Sequence, residues 1–272
     1  MNLAIVIVSY NARADLERCL ETLMAAPPRH EHEIVVVDNA STDGSAALVR
    51  SRWPALRLIE RTMNGGFSAA NNDGMRAARG DAILLLNSDT LVPAGAIDAL
   101  AGRLAADPSA AIAGPRLIDA DGRAELSFGP MIAPLAELRQ KVLLSLYRRG
   151  VGPVVRYVEA ATRRERYVDW VSGAALLVRR ADAEAVGLLD ERFFLYTEDV
   201  DFCAAVRARG GRVLFTPAAE IVHLRGRSRA SAAGVAEAAY RRSHLAFYEK
   251  HHPRWAPLLK LYLKLKPPIR TD

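Results

Sequence analysis

Ala82-Ile83-Leu84-Leu85-Leu86-Asn87-Ser88-Asp89-Thr90 is the stretch on which the fold turns. Four aliphatic residues follow one another without polar alternation, the pattern of a strand buried on both faces in a parallel sheet covered by helices. The run stops at three small polar residues, and in open α/β sheets ligands bind outside the carboxyl ends of the strands. Asp89 therefore stands either where a ligand would sit or as the cap of a helix beginning near Pro93. Position alone leaves both readings open.

Upstream, Leu3-Ala4-Ile5-Val6-Ile7-Val8 reads as a first strand ending at Ser9-Tyr10-Asn11, with Asn11 placed to cap a helix carrying Leu16, Leu20 and Leu23 on one face. Glu33-Ile34-Val35-Val36-Val37 is a second buried strand, ending in Asp38-Asn39. Leu56-Arg57-Leu58-Ile59 is a third, followed by Asn64-Gly65-Gly66-Phe67 and a helix through Arg79. Strands alternating with helices predict βαβ units, hence an α/β domain with a mostly parallel central sheet flanked by helices. Right-handed crossovers bring the carboxyl ends of parallel strands to one edge. Ser9, Asn11, Asp38, Asn39, Asn64, Gly65, Asn87, Ser88 and Asp89 would then share one polar crevice. Gly65-Gly66 allows backbone to approach a bulky group, and helix N-termini offer N–H donors to phosphate. Neither a G-x-G-x-x-G nor a G-x-x-x-x-G-K-[ST] is present, so no Rossmann dinucleotide site or P-loop is supported.

Length and composition fit this class. The 272 residues suffice for a full core, and 50% hydrophobic with 25% charged residues is ordinary for a soluble domain. No run approaches 18 apolar residues, so no spanning helix is expected. The first residues lack a basic n-region and read as core strand rather than leader, which predicts a cytoplasmic protein. Cys19 and Cys203 are too few for a structural zinc site and are expected as buried, reduced thiols. Residues 241–272 hold eight Lys/Arg against Glu249 and Asp272, which accounts for the whole net charge of +6.

The second half is less regular. Ile112-Ala113-Gly114-Pro115-Arg116-Leu117-Ile118 leads to an Asp121-Gly122 turn. Residues 131–166 carry helical spacing (Leu135, Leu138, Val142) among basic residues and glycine breakers, and read as an inserted arm. Residues 168–178 return to buried strand, with Gly173 permitting close approach. Glu198, Asp199 and Asp201 then open a helix for which Thr197 is the expected cap. Acids suit a helix N-terminus, yet three within four residues also suit acid/base or metal work. His223 ends a last strand, where a structural role competes with a ligand role.

Taken in order, these pieces resemble the inverting, GT-A-type glycosyltransferases of family 2, in particular the rhamnosyltransferase-like branch. The matching motifs are Val8-Ser9-Tyr10-Asn11, Val37-Asp38-Asn39-Ala40-Ser41, Asn64-Gly65-Gly66-Phe67-Ser68-Ala69-Ala70-Asn71, Leu86-Asn87-Ser88-Asp89, Trp170-Val171-Ser172-Gly173, Tyr196-Thr197-Glu198-Asp199-Val200-Asp201 and His223…Gly226-Arg227-Ser228. The resemblance implies that Ser9, Asn11 and Asp38 hold base and ribose of a nucleotide-sugar donor, with Asn39, Asn64, Gly65 and Asn71 against it and Asn87 and Ser88 beside the diphosphate. It implies Asp89 and His223 as ligands of a divalent cation (Mg²⁺ or Mn²⁺), Asp199 as general base, and Trp170, Gly173 and Glu198 on the acceptor side. Asn87 departs from the family's D-x-D and leaves one fewer carboxylate for the cation, an N-x-D form common in the rhamnosyl-like branch. The implied activity is inverting transfer of a sugar, with dTDP-rhamnose the favoured donor, to a hydroxyl of a glycan or lipid-linked glycan in cell-surface polysaccharide assembly. The implied layout is a catalytic domain over 1–228 (nucleotide half 1–107, acceptor half 108–228 with the arm) and a basic helical extension over 229–272. That extension, with Trp255 and a Leu/Lys run from Leu258 to Lys266, is expected either to pack on the domain or to lie on an anionic membrane, on the inner face of the cell membrane. No aromatic-interleaved basic groove points to nucleic acid. Two alternatives compete: a sugar-phosphate nucleotidyltransferase, which would want a basic Gly-rich loop in place of Ser9-Tyr10-Asn11-Ala12, and a nucleotide-sugar binding module without catalysis.

Overall fold

The computed structural model describes residues 1–224 and 233–265. The Gly226-Arg227-Ser228 motif, the boundary at 228/229, and Lys266, Arg270 and Asp272 lie outside the described residues. In chain order the elements of the first half are β1 (Leu3–Ser9), α1 (Arg13–Ala25), β2 (His32–Asp38), α2 (Ser45–Arg52), β3 (Arg57–Glu60), α3 (Gly66–Ala77), β4 (Ala82–Asn87), β5 (Thr90–Leu91), α4 (Ala96–Ala106) and β6 (Ala110–Ile118). The second half contains β7 (Phe128–Gly129), α5 (Pro134–Arg148), α6 (Gly152–Thr162), β8 (Arg166–Val168), β9 (Trp170–Val171), β10 (Ala175–Arg179), α7 (Arg180–Ala185), α8 (Glu198–Ala208) and β11 (Arg212–His223). Two helices follow, α9 (Ala233–His251) and α10 (Ala256–Leu265).

The main sheet has the order β3-β2-β1-β4-β10-β6-β11-β5, with β8 beside β11. The strands β3, β2, β1 and β4 are parallel, as is the β6–β11 pair, whereas β10 runs antiparallel between β4 and β6. The expected first strand is β1, buried along all seven residues. Buried side chains fall into one cluster on each sheet face, and burial is continuous rather than alternating through the aliphatic residues of β1 and β4. Helix α3 comes close to the sheet because Gly74 faces Val6, whose Cγ1 would lie 2.3 Å from any added Cβ. Cys19 and Cys203 are free and fully buried, and burial pushes both thiols up to about 12.

Several local expectations are corrected. Asn11 does not cap α1: it has φ 48°, Ala12 precedes the helix, and the Asn11 Oδ1 accepts the Thr42 N–H at 2.8 Å instead. Asp89 caps nothing either, since α4 starts behind Gly95 (φ 76°) with no side-chain cap. Thr197 has φ 64° and makes no capping hydrogen bond. The strand expected over 168–178 breaks at Asp169 and again at Ser172-Gly173-Ala174, so that it is shared among β8, β9 and β10; at the second break the Gly173 N–H turns to Asp199 of α8.

The arm and the C-terminal helices form a third apolar cluster, in which Phe193 and Val200 meet Phe247, Tyr248 and Ala256, with Met131, Ile132 and Trp170 against them. Helix α9 is thus packed into the core on this side rather than hung from it. Glu137 of α5 fastens the arm: its Oε2 accepts from Tyr248 and pairs with His244 Nε2, each at 2.9 Å, and Lys141 completes the cluster. Burial raises the Glu137 pKa, but His244 and Lys141 outweigh it and hold the carboxyl at about 2, against 4.5 ordinarily. Glu137→Gln should cost roughly 1–3 kcal/mol, the size of an uncompensated buried hydrogen-bonded charge. Because the folded-state pKa is depressed, this stabilisation is complete above pH 4.5 and fades as pH falls toward 2. Urea midpoints of the two proteins should accordingly differ by a constant amount near neutral pH and converge below pH 4.5.

Candidate active site

The carboxyl ends of β2, β1 and β4 lie side by side, with Ser9 in register with Asp38 and Val8 with Asn87. At this edge Ser9 Oγ, Asp38 Oδ1 and Asn87 Oδ1 are buried without a hydrogen-bond partner among the described residues. Buried polar atoms are almost always paired, and each unpaired one costs about 1–3 kcal/mol. Three at adjacent strand ends mark a place where a polar ligand would recover that cost. Asp38 keeps its other oxygen on the Ser41 N–H at 3.0 Å.

The surrounding loops are laced together. Asn11 N–H donates to Ser41 Oγ at 3.0 Å, and Arg13 N–H to Asp43 Oδ2 at 2.8 Å. Asn39 faces the chain: its amide donates to Asn64 Oδ1 at 2.8 Å and accepts from Gly65 N–H at 3.2 Å. Asn71 is buried and donates to the Phe67 carbonyl at 2.9 Å. Asn39 and Asn71 therefore shape the 64–67 loop from behind. The bulky groups that Gly65 and Gly66 admit also belong to the protein. An added Cβ on Gly65 would lie 2.7 Å from the Arg61 guanidinium, and one on Gly66 (φ 88°) 2.5 Å from the Phe194 carbonyl oxygen. Phe67 N–H and Ser68 Oγ donate to the Phe194 and Phe193 carbonyls, both at 2.6 Å. This seam joins the loop after β3 to the loop before α8. Gly66→Ala should destabilise by roughly 2–4 kcal/mol, the sum of left-handed strain and a backbone collision. Gly95→Ala, with φ 76° and nothing within 4 Å, should lose only the strain. Chemical denaturation of the pair separates the two effects.

Across the edge, Asp199 sits in the first turn of α8, its Oδ1 accepting Val200 N–H and its Oδ2 accepting Gly173 N–H, each at 2.8 Å. A Cβ on Gly173 would lie 3.3 Å from Asp199 Cβ, so glycine permits this approach. Tyr196 and Thr197 are consecutive non-glycine residues with φ 71° and 64°, a strained turn that aims the start of α8. Next to Asp199, Glu198 is buried with Oε2 unpaired among the described residues; burial, and then the charge of Asp199, push its pKa well up. Two carboxyl groups thus stand side by side at the start of α8, and burial disfavours the charged form of Glu198. Asp201, third of the acids, points elsewhere and is held by Lys250 Nζ at 2.9 Å and His251 Nε2 at 2.6 Å from α9. Trp170 donates its Nε1–H to the Pro130 carbonyl at 2.9 Å and fills the arm side of the third cluster.

Asp89 meets His223 at 3.3 Å (Oδ1 to Nε2), and His223 Nδ1 lies 3.3 Å from Glu125 Oε2. Burial disfavours the imidazolium, yet the hydrogen bonds and charges of Asp89 and Glu125 outweigh it and lift the His223 pKa to about 9. Short β5 places this group: Thr90 pairs with His223, and Leu224 N–H donates to the Asp89 carbonyl at 2.8 Å. Glu125 is the residue sequence reading missed; it follows the Asp121-Gly122 turn in no motif. Ser88 is buried beside Asp89. The two lips connect, since Asn87 N–H donates to the Ala174 carbonyl at 2.9 Å, one residue from the glycine that holds Asp199.

A profile of the glycosyl transferase family 2 matches residues 4–165. N-acetylglucosaminyl-diphospho-decaprenol L-rhamnosyltransferase of Mycobacterium tuberculosis is 32% identical over 269 residues, covering 94% of this chain and 87% of that protein. The chain is a family 2 glycosyltransferase. This glycosyltransferase also matches the O-antigen biosynthesis protein RfbC of Myxococcus xanthus at 27% identity, over 96% of its own length and 20% of that protein. Among solved structures it superposes on the mannosyltransferase PcManGT of Pyrobaculum calidifontis, crystallised with GDP-Man and Mn²⁺, at TM-score 0.62 and 21% identity, covering 95% of this chain and 68% of that one. TarS of S. aureus in complex with UDP-GlcNAc aligns at TM-score 0.59 and 16% identity, covering 89% and 65%. The nucleotide-sugar-dependent glycosyltransferase thus has the GT-A fold expected of it. Among its described residues no helix is long and apolar enough to cross a membrane.

Among those residues, too, no three His, Cys, Asp or Glu side chains are grouped to hold a cation unaided. Asp89 and His223 still fit a cation of the Mg²⁺/Mn²⁺ type, which is commonly held by one or two protein ligands and completed by substrate phosphate and water. His223 would have to lose its proton to serve, so cation binding and proton release are coupled.

Proposed function

We propose that the enzyme transfers rhamnose from dTDP-rhamnose, with inversion, to a hydroxyl of a lipid-linked glycan during assembly of a cell-surface polysaccharide. The observation that carries the transferase reading is the pairing of two lips: unpaired Ser9, Asp38 and Asn87 on one side, and Asp199 held by Gly173 on the other. The donor sugar and the acceptor class rest on the 32% identity to the mycobacterial rhamnosyltransferase. Ser9 and Asp38 bind base and ribose; Asn11, Asn64 and Gly65 line the same lip, and Asn87 and Ser88 face the diphosphate. Asp89 and His223 would hold a divalent cation there, which supplies positive charge opposite the leaving diphosphate when bound.

Asp199 accepts the proton of the acceptor hydroxyl as that oxygen bonds to the anomeric carbon. The bond from that carbon to the diphosphate oxygen breaks on the opposite face, which inverts the centre. Burial disfavours the charged form of Glu198 beside the base, and the Gly173 N–H fixes the carboxylate that receives the proton. Trp170 lies toward the acceptor. The reaction takes place on the cytoplasmic side of a membrane that carries the acceptor, which suits a basic C-terminus.

Thermal-shift assays with Mn²⁺ and dTDP-rhamnose, UDP-glucose or GDP-mannose test the donor. The dTDP-sugar should give the largest rise in Tm, about 4 °C or more for a ligand well above its Kd. A preference for the UDP- or GDP-sugar would remove the rhamnosyl reading and leave the transferase reading standing.

A further inference from the structure

The exposed apolar side chains on this side of the molecule fall into order. On α10, Leu258, Leu261, Tyr262 and Leu265 follow i, i+3, i+4, i+7 spacing and all face outward, while Ala256, Leu259 and Leu263 turn toward the body. On α5, Leu135, Leu138 and Val142 do the same, Leu135 being 82% exposed. Both helices pack on α9. Glu137 reaches His244 and Tyr248, Arg241 donates to the Leu263 carbonyl at 3.2 Å, and Lys141 is close enough to Tyr262 to feel its hydroxyl.

We infer that α5 and α10 together form a docking surface for an anionic phospholipid bilayer. The arm is as much a part of this surface as the basic tail. It deepens the reading of a membrane-carried acceptor and rests on that reading for its purpose, not for its geometry.

Charge selects the occupant. Arg139, Lys141 and Arg148 border the α5 stripe, and Arg254, Lys260 and Lys264 border the α10 stripe, all exposed. Neither helix offers an exposed carboxylate, because Glu137 faces inward and α10 has no acid; Glu249, at the end of α9, is the exposed acid nearby. A second copy of the chain on this face would set basic border against basic border, which disfavours a dimer. Lipid headgroups of negative charge complement it, and Trp255 and Tyr262 are of the type that settles at the boundary between headgroup and acyl chain. Beneath this surface lies the third apolar cluster, in which Ala256 and Tyr248 are packed together with Leu259 and Trp170 against them.

The test uses the full chain with vesicles of phosphatidylcholine alone or mixed equally with phosphatidylglycerol. Co-sedimentation should be confined to the mixed vesicles and weaken with salt. Leu258→Gln with Leu261→Gln, and separately Leu135→Gln with Leu138→Gln, should each lower partitioning about tenfold or more. Lys260→Gln should lower it about fivefold. The emission of Trp255 should shift to the blue on binding, and Trp255→Phe should abolish that shift. Equal binding to both vesicle types, or none, overturns the proposal. An unaffected α5 pair would take the arm out of the surface, and a solution dimer dissolved by the same substitutions would give the face to a second copy; either result overturns it. Calorimetric titration with dTDP should be unchanged in every surface variant, so a failure of the donor reading stays separate from a failure of the surface.

Discussion

Asp199→Asn should lower the rate of sugar transfer about a thousandfold while leaving donor affinity where it was, as expected for removal of a general base. The substitution targets basicity. An asparagine oxygen still accepts the Gly173 N–H that Asp199 Oδ2 accepts at 2.8 Å, so the side chain keeps that anchor while it gives up the Val200 N–H bond of Oδ1 and the capacity to take a proton. Glu198→Gln is the matched control: burial, and then the Asp199 charge, push the Glu198 pKa up and disfavour its charged form, and a neutral amide of the same shape should change turnover little. Single-turnover transfer measured beside calorimetric donor binding reads both quantities. Comparable turnover by Asp199→Asn, or a larger loss from Glu198→Gln, would take Asp199 out of the base role.

Asp89→Ala should cost about a hundredfold in Mn²⁺-dependent donor affinity and little in its absence, because loss of a direct carboxylate ligand is at least as severe as loss of a supporting residue. The geometry sharpens this expectation. Without Asp89, His223 keeps Glu125 at 3.3 Å but loses the carboxylate that faces its Nε2 at 3.3 Å, so cation and imidazole are both affected. Calorimetry with and without Mn²⁺ decides. Equal affinities in wild type and variant under both conditions would place the cation elsewhere or nowhere.

Much of the donor half was legible because its signals are local. The unbroken aliphatic runs in β1, β2 and β4 can only be central strands, and the polar residues that end them land on one edge by the handedness of the crossovers. What the residues do at that edge was less legible. Asn39, Asn64, Gly65 and Asn71 are polar or small, as ligand contacts would be, but Asn39 and Asn71 spend their hydrogen bonds on the chain and the glycines make room for Arg61 and Phe194. Hydrogen-bond partners across 25 residues leave no periodic trace. The strand at β10 was legible but its antiparallel direction was not, because a strand buried on both faces reads alike in either direction. β5, two residues long, lies below any periodicity, and Glu125 enters the site through His223, 98 residues away.

The match to the family profile ends at residue 165, before Asp199, His223 and the helix that grips Asp201. A truncated protein designed on that boundary would retain the strand ends with Ser9, Asp38 and Asn87 and discard Asp199 and His223, the residues proposed as base and as one cation ligand. Even a cut placed just after His223 would strip Lys250 and His251 from a carboxylate that is 2% exposed, and uncover Phe193 and Val200, the latter next to Asp199 in the chain. The shortest working enzyme therefore has to run past His252, whose ring meets the Ile132 carbonyl at 2.6 Å and closes the far end of that wedge.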